Sequence, residues 1–404
     1  MRARIILPVA LLLLSPCSSW ATDVLLDHVE FVRESGKPQS ASAPFSACDP
    51  EGTFTLVVDN GQDGTHRVSS GTISVNGIPV VMQSDFSQQV AVITKPLMNI
   101  QESNQLEVLL ASAPGSVIKV TVRAEMICLA VTIDSPVSGS TVSQNEITVF
   151  GHARHRTPEI GVKVSGVLAQ MNGDAWVANN VPVSVGENTL TAVLTDEKGR
   201  TAQTSAIVTL PAVSTGSVRL LSTVESGIAP LRVAFSLENN TGRNLVSYKM
   251  DFEGDGVVDL EAGAFESVEH AYATEGIFNA TLLATDAAGN QYVGTLAVNV
   301  HALPPLKTKW DAMKAALTVQ DLTGAVKNFA SVSADTYGAI FSSLGSILPQ
   351  IAVEMQNIEL VYLRGDRAKY RMRVEELSGG VPTEFTYYIY FVRDEDGFWR
   401  IRDF

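Results

Sequence analysis

Apolar and polar residues alternate in short stretches along most of the chain, for example at Phe54–Val58, Val90–Ile93 and Val117–Val122. A period of two marks a strand with one buried face. The stretches are separated by turn-forming clusters such as Asp59–Gly64, Asn76-Gly77 and Ala113–Gly115, which supply the conformations that tight turns need. Short strands with turns at this spacing predict β-sandwiches. The pattern changes in the last hundred residues. Trp310, Met313 and Leu317 recur at helical spacing and predict a helix with one buried face. Further helices are expected over 322–329 and 336–344, followed by strands near 354–363, 367–376, 385–392 and 398–404.

An internal repeat sets the organisation. Thr195-Asp196-x-x-Gly199 and Thr285-Asp286-x-x-Gly289 each stand between two strand-like stretches, about one sandwich length apart. The glycines suit the positive φ of a hairpin turn. Asn104 to Leu106, ahead of Val117–Val122, is a weaker third copy. Three tandem sandwiches follow, at 45–129, 130–210 and 217–301, then an α+β domain at 304–404. Residues 22–44 are read as a leader, although Val24–Val32 alternates. The Pro-containing joints at 211–216 and 303–305 read as semi-rigid linkers. The fold class expected is mainly β, and 404 residues suffice for several separate cores.

At the start of the chain, Arg2 and Arg4 precede an apolar run, Ile5–Leu14, and Ser19-Trp20-Ala21 has the small residues of a signal-peptidase site. Residues 1–21 are therefore expected to be a cleaved signal peptide. Leu14-Ser15-Pro16-Cys17 is similar to a lipoprotein box but has Pro16 where Gly or Ala is wanted, so soluble export to the periplasm, cell surface or medium is preferred. No run reaches the length of a membrane span. Export permits a disulfide between Cys48 and Cys128, which bracket the first strand-rich segment; two buried thiols are the alternative.

The net charge is −14, and residues 306–404 carry 12 basic against 13 acidic groups, so the excess lies ahead of them. No basic stripe for nucleic acid is visible, and the expected partner is a protein or carbohydrate outside the cytoplasm.

The third segment resembles a polycystic kidney disease (PKD) domain through Gly227–Phe235, Tyr248–Phe252, Gly254-Asp255-Gly256, His270-Ala271-Tyr272 and Gly276-Ile277-Phe278. That resemblance implies a sandwich used outside cells, in adhesins and as an accessory to secreted hydrolases. The family's usual Trp is replaced around Lys249-Met250, which implies a differently packed core. The second segment is similar to the immunoglobulin-like domains of glucodextranase-type proteins through Ser135–Ser140, Val149–His152, Trp176 and Val185–Asn188. The first looks like another bacterial immunoglobulin-like module through Arg67–Ser70, Val75-Asn76-Gly77 and Asp85–Gln89. The last domain resembles the nuclear transport factor 2-like superfamily through its element order, Val361–Asp366 and Asp394–Ile401. That superfamily includes enzymes, ligand binders and silent interaction domains, so the resemblance leaves function open.

The sharpest chemical pattern is Asp251, Glu253, Asp255 and Asp259 around Gly256, oxygen ligands spaced as in the first part of a calcium loop. Ala262 stands where an EF-hand has its bidentate carboxylate, and solvated acids on a turn are the alternative. His152 and His155 with Arg154 and Arg156 form a local basic cluster, which lacks a third zinc ligand.

Every histidine precedes residue 302 and no Gly-x-Ser-x-Gly occurs, so no catalytic residue is assigned. Aromatic residues concentrate in the last domain, where Tyr337, Tyr362, Tyr388 and Tyr390 are the candidate ligand contacts; core filling is the competing role. The expected function is an exported, non-catalytic binding protein whose sandwiches space or present its last domain. The alternatives are an enzyme with its site in that domain and a carbohydrate-attachment accessory.

Overall fold

A computed structural model describes residues 22–38, 40–62, 64–157, 159–212, 216–301, 306–378 and 381–404. The expected signal peptide and Cys17 lie outside them. The fold is mainly β, with 55% of residues in strands and 12% in helices. Two compact units are distinguished: the described residues up to Leu129 with Arg154–Arg156, and Ala130–Ala153 with Thr157–Phe404.

The first unit is a sandwich of two four-stranded sheets. In one, Asp23–Val32 pairs with Val117–Glu125, which pairs with Thr53–Asn60, which pairs with Val92–Leu97. In the other the order is Ser40–Ser46, Ser103–Leu110, Gly71–Val75, Ile78–Val81. Phe54, Leu56 and Val58 fill the core from one sheet and Ile73, Leu106 and Val108 from the other. The stretch read as a leader thus supplies one strand to each sheet. Its alternation was the visible signal, and the Ser/Pro/Ala composition masked the second strand because Ala43 and Phe45 alone face inward there. Cys48 and Cys128 are joined as a disulfide across 80 residues of chain. They follow strands of opposite sheets, so the bond links the two layers of the sandwich.

In the second unit, the sandwich that begins at Ala130 packs one sheet of Ser140–Thr141, Thr201–Leu210, Gly186–Asp196, Ile160–Val164 and Val167–Leu168 on another of Gln170–Asn172, Ala175–Pro182, Glu146–Arg154 and Ala130–Val131. Trp176 is fully buried in it. It fits because Gly151 lies under the indole, where a Cβ would collide with the ring and with the Thr132 carbonyl.

The next sandwich has a three-stranded sheet, Val218–Ser222, Leu231–Asn239 and Val268–Tyr272, and a five-stranded one built around the hairpin of Gly276–Asp286 and Gln291–His301. Met250, beside the position where the resembled family carries Trp, is buried in this core. The repeat expected from sequence has one local chemistry. Asp196 accepts from the Lys198 and Arg200 amides at 3.0 and 2.9 Å, and Asp286 from the Ala288 and Asn290 amides at 2.9 and 2.9 Å. Gly199 and Gly289 take φ of 77° and 88°, a region open to glycine without a Cβ penalty.

The last domain sets four helices, Lys307–Thr318, Leu322–Val326, Ser331–Leu344 and Leu348–Glu354, against an antiparallel meander of Glu359–Arg364, Arg367–Ser378, Val381–Arg393 and Trp399–Asp403. Leu348–Glu354 is a helix that the sequence reading missed. Pro349 in its first turn removes an amide that needs no partner there. Trp310, Met313, Leu317, Phe329, Phe341, Tyr370, Ile389, Phe391 and Ile401 are buried between the layers.

The three domains of this unit are tied to one another by backbone and side-chain bonds. Asn179 brackets Ala297, accepting from its amide at 3.0 Å and donating to its carbonyl at 2.8 Å. The Gly365 amide donates to Ser226 O at 3.1 Å, and Ile228 packs into the core of the last domain. The Trp399 amide donates to Glu159 Oε1 at 2.8 Å, and Arg393 Nη2 donates to Ala169 O at 2.5 Å.

Candidate functional site

Strand alternation in the last domain separates two faces. Ala368, Tyr370 and Met372 turn to the helices, so Lys369, Arg371 and Arg373 turn to the outer face. Cross-strand partners share a face. Lys369 pairs with Tyr390 on one side and Tyr362 on the other, and Arg371 pairs with Tyr388 and Glu359. Three of the four candidate tyrosines are therefore brought together on the outer face, with Tyr362 and Tyr388 39% and 44% exposed.

Lys369 Nζ lies 3.6 Å from the centre of the Tyr388 ring and 5.3 Å from that of Tyr390. Arg371 Nε meets Glu359 Oε2 at 2.9 Å and Arg373 Nη1 meets Glu384 Oε1 at 3.4 Å. The basic residues of the face are thus partly neutralised on the same sheet, and its distinctive offering is flat aromatic surface bordered by charged hydrogen-bonding groups.

Tyr337 belongs elsewhere. Its ring stacks on Phe329 at 4.3 Å and on Phe404 at 5.2 Å, and its hydroxyl donates to Phe404 O at 3.0 Å and accepts from Phe404 N at 2.9 Å. It anchors the chain's last residue against the helices. Tyr370 is buried on the core side, and loss of solvent pushes its phenol up to about 12. Asp321, Asp335 and Glu354, the carboxylates that an enzyme in this domain would draw on, are exposed. Asp321 caps a helix through the Gly324 amide at 2.9 Å, and Glu354 accepts from Gln350.

The acidic loop of the preceding sandwich converges only in part. Asp251, Glu253 and Asp259 bring carboxylate oxygens within 4.8 Å of one another, the one such metal-capable group among the described residues. Asp255 is not in it; its Oδ1 accepts from the Val257 amide at 2.8 Å. Asp251 accepts from the Gly254 and Gly256 amides at 2.7 and 2.8 Å, and Asp259 from the Phe252 amide at 2.8 Å.

Partial burial, then its hydrogen bond to Asp259, raises the Glu253 carboxyl above its ordinary range. His270 Nε2 stands 2.8 Å from Glu253 Oε1, and its ring stacks on Phe252 at 4.5 Å. The histidine was absent from the sequence reading of this loop because strand pairing, not loop spacing, brings it there. His152 Nδ1 meets Asp134 Oδ2 at 2.5 Å on an exposed surface, outside any metal-capable cluster of described residues.

No known family matches the chain, and no curated protein does. Solved structures similar to parts of it include fibronectin(III)-like modules of CbhA from Clostridium thermocellum, 16% identical over 42% of this chain and 94% of that one, TM-score 0.17. The protein SGBP-B of the Bacteroides ovatus mixed-linkage glucan utilization locus, solved with a mixed-linkage heptasaccharide, is 13% identical over 43% of this chain and 47% of that one, TM-score 0.16. Dimeric latent PorU from Porphyromonas gingivalis is 9% identical over 70% of this chain and 34% of that one, TM-score 0.25.

Proposed function

We propose that this is an exported, non-catalytic binding protein that recognises its partner through the outer face of its last sheet. The observation that carries the reading is the grouping of Tyr362, Tyr388 and Tyr390 on that uncovered face around Lys369. Flat amphipathic rings supply contact area at small conformational cost, and their hydroxyls supply polar ends. The packed interior of the domain supports a surface site over an internal one. The Cys48 to Cys128 bond supports an oxidising compartment. Among the described residues, no helix is long and apolar enough to cross a membrane.

The partner proposed is a carbohydrate, since tyrosine rings bordered by paired charges suit the C–H face and hydroxyl rim of a sugar. A glycan array probed with the full chain and with Tyr388→Ala tests this. Loss of about 2 kcal/mol, roughly 30-fold in affinity, at unchanged melting is expected for a true anchor. A profile identical for both proteins refutes the face as the site.

The acidic loop adds a proposed calcium ion held by Asp251, Glu253 and Asp259. Their oxygens are close enough to ligate one hard cation. A raised Glu253 means that the folded chain binds more protons than the unfolded one, so this group's contribution falls as pH rises above 4.5. A bound Ca²⁺ would offset the burial and the neighbouring Asp259 charge that oppose ionisation of Glu253. The full chain should melt higher in Ca²⁺ than in chelator at neutral pH, with the increment lost in Glu253→Gln and retained in Asp255→Ala. Equal melting with and without Ca²⁺ removes the ion from the reading.

A further inference from the structure

A cavity of about 520 Å³ opens where the PKD-like sandwich meets the last domain. Its lining is Val224, Pro230, Leu231 and Ala271 on the apolar side, with Thr223, Arg232 and Arg364 on the polar side. Pro230, Leu231, Arg232, Ala271 and Arg364 lie in separate motifs of the sequence, and only the meeting of two domains brings Arg364 to the others. The wall between the two domains is held in place: the Gly365 amide, next to Arg364, donates to Ser226 O at 3.1 Å, and Ile228 packs into the last domain's core. The volume falls in the range of small-molecule sites, which favour domain junctions.

The polar side is cationic and uncommitted. Neither Arg232 nor Arg364 has a carboxylate within ion-pairing distance among the described residues, whereas Arg219, Arg371, Arg373, Arg393 and Arg400 all do. Two acids that adjoin the lining in sequence are engaged: Glu225 accepts from Asn179 at 3.0 Å, and Asp366 pairs with Arg393 at 3.4 Å. Thr223 Oγ1 accepts from the Ala234 amide at 3.1 Å, so its own hydroxyl proton remains available to donate. Two guanidiniums present forks of N–H donors that match a carboxylate. The apolar wall suits the body that carries it.

We propose that this junction is a binding site for a small carboxylate-bearing ligand, with Arg232 and Arg364 holding the carboxylate and Val224, Pro230 and Leu231 covering the ring or chain attached to it. The site borders the tyrosine face, since Arg364 follows Tyr362 by two residues on the same outward side of its strand, but it draws on a different set of side chains. Because one arginine comes from each domain, occupancy also ties the two domains together.

The test is calorimetric titration of the full chain with three probes: digalacturonate, phenylacetate and inorganic phosphate. Arg232→Gln and Arg364→Gln are compared with Arg123→Gln, an arginine of the first sandwich, with melting recorded for each. One of the two carboxylates should bind, at least about tenfold more tightly than phosphate. Each junction substitution should weaken it by about tenfold or more, and Arg123→Gln should not. Digalacturonate as the tighter probe identifies an acidic sugar, and phenylacetate a small organic acid. Absence of binding by both carboxylates overturns the proposal. So does equal binding of all three anions, or binding indifferent to Arg232 and Arg364.

Discussion

Lys369 Nζ sits 3.6 Å above the ring of Tyr388, its diagonal neighbour on the next strand, while its direct cross-strand partner is Tyr390. A cation over an exposed ring contributes about 0.5–1 kcal/mol, too little to matter to a domain with a separate core. Under the proposed binding role, it orients the rings on an open face. Lys369→Met should therefore leave the melting temperature nearly unchanged and reduce glycan retention. Tyr337→Ala should do the opposite, costing about 2–4 kcal/mol by emptying the stack with Phe329 and Phe404, with retention unchanged on the protein that remains folded. Paired melting and retention measurements separate the two tyrosine classes.

Acid should loosen the repeated hairpins first. Burial pushes the Asp196 carboxyl up, but the Arg200 guanidinium and the Arg200 and Lys198 amides outweigh it and hold it below its ordinary 3.8. The Asn290 amide side chain and backbone amides lower Asp286 likewise, against burial. A lowered carboxyl gives stability that is present above the unfolded value and is lost as pH falls below it. Protection of the Lys198, Arg200, Ala288 and Asn290 amides from exchange, relative to the unstructured rate at the same pH, should fall below about pH 4. Asp196→Ala should cost about 1–3 kcal/mol by orphaning those donors, and Asp286→Ala should act in the same direction. Protection that stays constant across the acid range would contradict this account.

Gly161 should act as a wedge point between two domains that keep their own cores. A Cβ there would run into the backbone carbonyl of Asp396, beside the bonds from Trp399 to Glu159 and from Arg393 to Ala169. Gly161→Ala is expected to split a shared unfolding transition in calorimetry into two, with little change in near-ultraviolet signal. A single unshifted transition would mean that the domains do not depend on this contact.

The third sandwich should weaken in mild acid where its last strand ends at His301. Burial, then the Arg393 charge, lowers His301 below its ordinary 6.5. The unfolded chain therefore binds a proton first, so stability falls as pH drops below 6.5. Protection factors for exchange in the 291–301 strand at pH 7.5 and 5.5 check this, and His301→Gln should flatten their difference.

Reduction should selectively destabilise the first sandwich. Closing 80 residues of chain restricts the unfolded state by about 4–5 kcal/mol in the chain-entropy treatment. The Cys48→Ser, Cys128→Ser double variant should lose much of that in chemical denaturation, with the melting of Ala130–Phe404 unaltered.

Local physics sufficed for much of this architecture. Alternation with period two is a property of adjacent residues, so Phe54–Val58 and Val117–Val122 announced buried strand faces, and Thr-Asp-x-x-Gly announced two hairpins whose hydrogen bonds span four residues. Trp310, Met313 and Leu317 marked their helix for the same reason. Alternation also placed Tyr370 and Met372 opposite Lys369 and Arg371, yet it says nothing about which face a neighbouring layer will cover. Only packing decided that Tyr337 is a core anchor and that Tyr362, Tyr388 and Tyr390 share an open surface. The loop spacing at Asp251 named four acids, but Asp255 turned to its own backbone and His270 arrived by strand pairing. Arg232 and Arg364 belong to different domains, and only the docking of Ser226 to Gly365 makes them walls of one cavity. Period and turn chemistry act over a few residues and are written in the sequence; the covering of faces and the meeting of distant side chains depend on how whole layers pack.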